Sequence, residues 1–321
     1  MDEKEQWYIK EVSPDDYKSL VYDRRVFFNE PDFAELNKEK VDEVLYLIFM
    51  KQESARFGLI VGKRGNGFYT PFSAPYSYPV PITDESNVKS IDSALAAFEE
   101  FARSKDIETI RFIFPPLFYD EHLLSGWISA LYRSNYLIED LDINYAIDLR
   151  KLNVDEETYI HIVPQKGRKG LRRAERSGIE IYKCQTETDF KEAYEIVKIG
   201  HAAKGFPVKM SFEQLMTTME LVPHDAFIVR KNNTGIVAEF LYRVNDRIVQ
   251  GIYTGTHPDY MNCNGMNLLT YHTIRFYGDL GYQYLDKAIS TEDSIPNYGL
   301  CDFKESVGCE RSLKYTFQKT L

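Results

Sequence analysis

The chain has no run of eighteen apolar residues, so no stretch of it reads as a membrane-spanning helix. Its first residues, MDEKEQWYIKEV, are acidic and polar and lack the apolar core of a secretory signal. It has only four cysteines, Cys184, Cys263, Cys301 and Cys309, with no CxxC pair among them. That pattern argues against a disulfide framework and fits reduced thiols in a cytoplasmic protein. The spacing is poor for a structural zinc, so no metal is expected. Nor is there an excess of positive charge. The formal charge is -10, which argues against DNA as a partner.

What is present is enough apolar material to fold. Hydrophobic residues make up 44% of the chain and aromatics 14%, so it can bury real cores and is not a disordered sequence. Its 321 residues suggest about two domains. Charge is divided unevenly between them. Residues 1–150 hold 17 Lys+Arg against 27 Asp+Glu, whereas residues 151–321 hold 22 of each. Against this background KGRKGLRRAERSG (166–178) stands out, because it gathers Lys166, Arg168, Lys169, Arg172, Arg173 and Arg176. Read as a helix from about Gly167, it stacks like charges at i, i+4, which repel unless an anion or an acidic surface offsets them. A phosphate-bearing substrate and an acidic docking surface both satisfy that need.

The chain also repeats itself. VKSIDSALAAFEEFARSKDIETIRFIF (88–114) reads as helix, polar break and strand, and GMNLLTYHTIRFYGDLGYQYLDKAI (265–289) reads the same way, with Gly281 closing its helix. Around them, WYIKEV, RFGLIVGKR and GFYTPF read as strands in the first half, PDDYKSLVYDRRVFF and LLSGWISALYRSNYLI as helices, and INYAIDLR as the closing strand. In the second half IEIYKC is a strand and DFKEAYEIVKIGHAAK a helix, and Ser211 opens another helix with Glu213 close behind. DAFIVRKN, GIVAEFLYRV and RIVQGIYTGT are three strands joined at NNTG and ND, both good hairpin turns. The order predicts an α/β fold with a mixed sheet and helices on both faces, twice over, with a boundary near Arg150. SLKYTFQKTL is a final strand that could close either sheet.

This duplicated order resembles two fused GNAT acyltransferase domains, and the second half resembles the Fem-type aminoacyl transferases in particular. Four stretches carry the likeness: KGRKGLRRAERSGIEI, YTGTHPDYMNCNGMNLLTYHTI, YLDKAISTED and GLCDFKESVG. The resemblance implies a donor site in residues 151–321, with residues 1–150 a second GNAT-like domain. It implies acetyl-coenzyme A or another acyl-coenzyme A as co-substrate, with aminoacyl-tRNA as the alternative. The acceptor would be the amine of a small or nucleotide-linked molecule, such as a sugar nucleotide or a peptidoglycan-type precursor. A degenerate, non-catalytic GNAT-fold binding protein is the rival reading.

Within that frame, Asn262, Asn264, Gly265, Met266 and Asn267 form the loop that would hold a pyrophosphate at a helix N-terminus. Gly265 matches the GNAT pattern, while Asn262 and Asn267 replace its usual cation and final small residue. Tyr253 and Thr254 lie on the strand whose free N–H groups would polarise the donor carbonyl. Glu239 in VAEFLY and Asp286 in YLDKA are acids inside apolar strands and so candidate bases, the alternative for each being a solvent-facing place on an alternating strand. Tyr298 stands where GNAT enzymes often place an acid for the leaving thiolate. Lys304 and Phe303 match the Fem Phe-Lys signature, with Lys304 stabilising charge on the transferred group. Lys166, Arg168, Arg172 and Arg173 are candidates for an anionic substrate, and Phe72 and Tyr76 in TPFSAPYSYP for a wall against a sugar or acyl chain. For Phe72 and Tyr76 the alternative is a cover over the first core.

Overall fold

A computed structural model describes residues 6–21, 26–84, 86–151 and 156–321. The chain divides into two compact units, Met1–Asp142 with Leu313–Leu321, and Ile143–Ser312. The division falls within a strand instead of near Arg150, and the last strand returns to unit 1.

Unit 1 contains β1 (Trp7–Val12), α1 (Pro14–Leu20), α2 (Pro31–Leu36), β2 (Glu43–Lys51), β3 (Ser54–Arg64), β4 (Gly67–Thr70), β5 (Val80–Pro81), α3 (Val88–Ser104), β6 (Thr109–Ile113), α4 (Glu121–Arg133) and the start of β7 (Leu137–Asp148). Unit 2 takes the rest of β7, then α5 (Glu156–Ile162), α6 (Gln165–Glu175), β8 (Ile179–Lys183), α7 (Glu187–Ala202), α8 (Phe212–Leu221), β9 (His224–Lys231), β10 (Thr234–Arg243), β11 (Ile248–Thr256), α9 (Gly265–Asp279), β12 (Tyr284–Ile289), the short β13 (Thr291–Glu292) and β14 (Ile295–Pro296), α10 (Tyr298–Ser306) and the start of β15 (Glu310–Thr320).

Local chemistry explains most boundaries. Asn232 and Asn233 both take positive φ, 48° and 65°, as a two-residue hairpin turn between β9 and β10 requires. Gly281 sits at φ 84° just past α9, where a side chain would be strained. Ser211 caps α8, and its reciprocal partner is Gln214, the N3 residue, rather than Glu213. Two predicted helices are shorter than expected. The one at 14–28 ends at Leu20, followed by a 3-10 turn at Phe27–Asn29, and its stretch 22–25 lies outside the described residues. The one that begins near Leu123 stops at Arg133, because Asn135 turns left-handed (φ 62°) and releases Leu137 into β7.

In unit 1 the strand order is β1-β2-β3-β4-β6-β15, with β5 on β3. The final strand thus closes the first sheet, pairing Thr316–Thr320 antiparallel with Ile113–Thr109. In unit 2 the order is β7-β12-β11-β10-β9-β8, parallel between β11 and β12 and antiparallel elsewhere. Valines and leucines of β9 to β12 pack with Leu269, Ile274 and Tyr277 of α9 and Leu171 of α6.

The 70–79 stretch corrects one expectation. Residues 71–79 leave β4 and fold back until Val80 and Pro81 pair with Gly58 and Phe57. Tyr76 is fully buried, edge-on to Phe28 and Tyr119. Phe72 lies on Gly62, so close that a Cβ there would come within 2.5 Å of its own. Tyr76 and Tyr78 are core while Phe72 is half-buried, and no ligand wall remains for Tyr76 to form.

Candidate functional site

In unit 2, β11 and β12 pair through only three positions, Ile248↔Tyr284, Val249↔Leu285 and Gln250↔Asp286. Beyond Gln250 the two strands part, while β11 continues along β10 to Val237↔Thr256 through a bulge near Phe240/Leu241. β12 bends at the same level, and its register with β7 shifts between Asp286 and Ile289. Ala288, at φ 60°, is the residue that makes the bend. A left-handed alanine is costly and persists only where its surroundings hold it.

Two predicted site residues do that holding. Asp286 is completely buried and accepts hydrogen bonds from Asn144 Nδ2 at 2.8 Å, the Ala288 N–H at 2.9 Å and Gln250 Nε2 at 3.3 Å. Lys304, in α10, donates to the carbonyls of Ala288 and Ile289, both at 2.9 Å, and lies 5.6 Å from the centre of the Tyr145 ring. Burial lowers its pKa from the ordinary 10.5 to about 8, with Cys309 and Asp286 partly offsetting the loss. Asp286 and Lys304 therefore fasten the bend from both sides.

What the bend delivers is Lys287, a residue the sequence reading did not single out. Its ammonium reaches back to Glu239 on β10, and both side chains are buried. Thr254 Oγ1 lies 3.4 Å from the same carboxylate oxygen, Oε1. Gly251 leaves room for it, because a Cβ there would approach Oε1 to 3.1 Å. The other oxygen, Oε2, has no partner among the described residues, and neither does Gln250 Oε1. The only sequence signal for Lys287 was a lysine inside an apolar strand, and it stands immediately after the last β11–β12 pair.

The loop before α9 has its own features. Asn264 is left-handed (φ 55°), and its side chain donates to the Asn262 carbonyl instead of capping the helix. Gly265 allows α9 to rest on β10; a Cβ there would come within 2.8 Å of Val237 Cγ2. Met266 is half-buried and packs on the core. Asn267 is buried, pressed by Gly170 of α6, where a Cβ would lie 2.6 Å from its amide nitrogen. Lys231 Nζ stands 3.5 Å from Cys263 Sγ in this loop. Gly167 is equally constrained, since a Cβ would collide with the Ser306 carbonyl at 1.7 Å. Gly167, Gly170, Leu171 and Ala174 thus form the packed face of α6. Lys169, Arg172, Arg173 and Arg176 are exposed and Arg168 half-buried, none with an ion pair among the described residues, while Lys166 lies 3.9 Å from Asp302.

The remaining predicted residues spread out. Tyr253 is half-buried, its pKa raised by burial, and its ring faces His201. Phe303 is half-buried against the core, whereas Tyr298 is 76% exposed at the start of α10. The structure therefore brings together Glu239, Thr254, Asp286 and Lys304, and leaves Tyr298 outside that cluster.

No family model and no curated protein sequence matches this chain. Solved structures do. FemX superposes with a TM-score of 0.70 at 11% identity, over 98% of this chain and 97% of that one. A tandem GNAT protein from the clavulanic acid biosynthesis pathway gives 0.56 at 9% identity, over 98% of each chain. The fold is tandem GNAT. The C-terminal domain of a putative lysylphosphatidylglycerol synthetase from Agrobacterium fabrum also shares it, with a TM-score of 0.60 at 11% identity over 96% and 93% of the two chains. Within that fold β11 and β12 part after Gln250/Asp286, α9 follows between them in the chain, and α10 carries Lys304. No helix of the described residues is long and apolar enough to cross a membrane, and no group of three or more potential metal ligands occurs among them.

Proposed function

We propose that unit 2 transfers an acyl group from acyl-coenzyme A to an amine. The carrying observation is the parting of β11 and β12 after Gln250/Asp286, beside a helix whose N-terminus has no side-chain cap. An unpaired strand edge offers backbone N–H groups to a carbonyl, and an uncapped helix start offers N–H groups and a partial positive charge to a phosphate. In the reaction the amine nitrogen bonds to the carbonyl carbon, the carbon–sulfur bond breaks, and the thiolate leaves. Glu239 is the preferred acceptor of the amine proton, directly or through water. Its Oε2 is unengaged, whereas the Asp286 carboxylate accepts bonds at both oxygens. We assign donor binding and chemistry to residues 151–321, and to the acceptor a small or nucleotide-linked molecule of the cytoplasm.

A second donor, aminoacyl-tRNA, is favoured by one observation: the four cations of α6 without ion-pair partners among the described residues, Arg168, Lys169, Arg172 and Arg173, next to α9 through Gly170. Thermal melting separates the two. Millimolar coenzyme A and acetyl-coenzyme A are expected to raise the melting temperature, since a ligand of the native state must stabilise it. No shift with either, together with salt-sensitive binding of aminoacyl-tRNA, moves the assignment to tRNA. Neither response leaves a non-catalytic binding role.

A further inference from the structure

We propose that Gln250 reads the acyl group at the root of the parting between β11 and β12, and selects a short acyl chain that ends in an O–H or an N–H. This role rests on the transfer reading and narrows its donor.

β11 and β12 are parallel and pair only through Gln250/Asp286, so they part toward the end of β11. That end leads through the turn Pro258–Cys263 into the start of α9. A donor with its phosphates at α9 and its carbonyl on the free N–H groups of β11 therefore runs inward along the strand. The stretch from Gln250 to Thr256 offers it roughly 20 Å, at about 3.3 Å per residue. Its acyl group comes last, nearest to Gln250.

The side chains at this root are polar and buried. Gln250 is 4% exposed, Asn144 2% and Asp286 0%. Side chains alternate between the two faces of a strand. Val249 and Leu285 pack in the core with Leu269 and Ile274 of α9, so Gln250 and Asp286 share the opposite face. Lys287 and its partner Glu239 lie on the α9 face. Glu239, which takes the amine proton in the transfer reading, and Gln250 thus stand on different faces and are free for different parts of the reaction.

The orientation of the Gln250 amide is fixed by Asp286. One oxygen of that carboxylate takes Asn144 Nδ2 and the Ala288 N–H, and the other lies 3.3 Å from Gln250 Nε2. A carboxylate only accepts, so the NH2 end of the Gln250 amide must be the end turned to it, and the carbonyl oxygen points away. That oxygen, Oε1, is buried and has no partner among the described residues. A buried amide oxygen left without a donor is costly, and native structures rarely keep one without a reason. An O–H or N–H on the acyl group supplies the donor. A methyl group in the same place would shut the oxygen off from water and leave it unsatisfied, which is how a site built around a polar group rejects the apolar analogue. Long apolar chains are disfavoured as well. Asn144 and Asp286 stand beside Gln250 and are bonded to each other, so such a chain meets polar side chains where it would have to continue.

The test is equilibrium binding of the full chain to coenzyme A, butyryl-coenzyme A, β-hydroxypropionyl-coenzyme A and β-alanyl-coenzyme A. The three thioesters have the same chain length and differ at its end, which is a methyl, a hydroxyl or an amino group. The hydroxyl or the amino end is expected to bind about tenfold more tightly than the methyl end, and the better of the two identifies the donor. In Gln250→Met that ratio should fall to about one. In Gln250→Asn, which draws the oxygen back by a methylene, it should fall part of the way. If a variant misfolds, the wild-type ratio decides alone. A wild type that binds coenzyme A without favouring either polar end overturns the role of Gln250 and leaves the transfer reading in place. A preference that survives in folded Gln250→Met overturns that role too. Absence of binding by coenzyme A and by all three thioesters overturns the acyl-coenzyme A reading, and the role of Gln250 falls with it.

Discussion

β4 and β6 in unit 1 hold the place in the element order that β11 and β12 hold in unit 2, and the two pairs are treated in opposite ways. In unit 1 the wedge beyond Thr70 is filled by the chain itself: the Ser77 N–H donates to the Ile113 carbonyl, and Tyr76 and Tyr78 are buried. The helix that follows, α3, is capped by Asn87, whose side chain accepts from the Ser90 N–H. In unit 2 the chain continues straight along β11, the parting strands are lined by Glu239, Lys287, Asp286 and Lys304, and α9 has no side-chain cap. One topology therefore supports either a wedge filled by the chain's own aromatics or one spanned by buried charged side chains. The difference lies in a proline-rich fold-back and a single capping side chain.

The largest expected effects test what fills each wedge. Tyr76→Ala should cost about 3–5 kcal/mol in urea unfolding, as loss of a large core aromatic does; a change near zero would return residues 70–79 to the surface. Lys287→Met should cost about 3–5 kcal/mol by stranding the buried Glu239 carboxylate, and Lys287→Met with Glu239→Leu should recover much of it. Failure of the double variant to recover would break the claim that this pair spans the unit 2 wedge.

Next comes pH. The folded-state pKa of Lys304, lowered to about 8, means that the unfolded chain binds this proton more tightly than the native one between about 8 and the ordinary 10.5. Its contribution to stability should therefore rise with pH across that window. Denaturant titrations of the wild type and of Lys304→Met should differ in that slope; equal slopes would show that the ammonium is less buried than described. The smallest effect sharpens the comparison of helix starts. Asn87→Ala should cost about 1 kcal/mol by uncapping α3, whereas Asn264→Gly, which keeps the left-handed backbone, removes no cap from α9. Equal losses would erase the contrast.

The fold was legible because it is written in local chemistry. Asn232–Asn233, Gly281 and Ser211 each mark a turn or a helix end that the backbone then makes. The pairing of the last strand was not legible, since an amphipathic strand carries no address for its partner. Glu239 and Asp286 were picked out as acids inside apolar strands and Lys304 by the Fem resemblance, and the three lie around the bend at Ala288. Their division of labour was hidden, because it depends on a bend at Ala288, an alanine with no sequence mark of left-handed backbone. Lys287 was missed for a related reason, since it takes its meaning from a side chain far away in sequence, Glu239.

The return of Leu313–Leu321 to unit 1 sets an order of events during synthesis. The edge that β6 offers to β15 stays unsatisfied until every residue of unit 2 has left the ribosome, so the half that is made first is finished last. A nascent chain stalled before residue 313 would carry that bare edge into the cell, where it could recruit a strand from a neighbour.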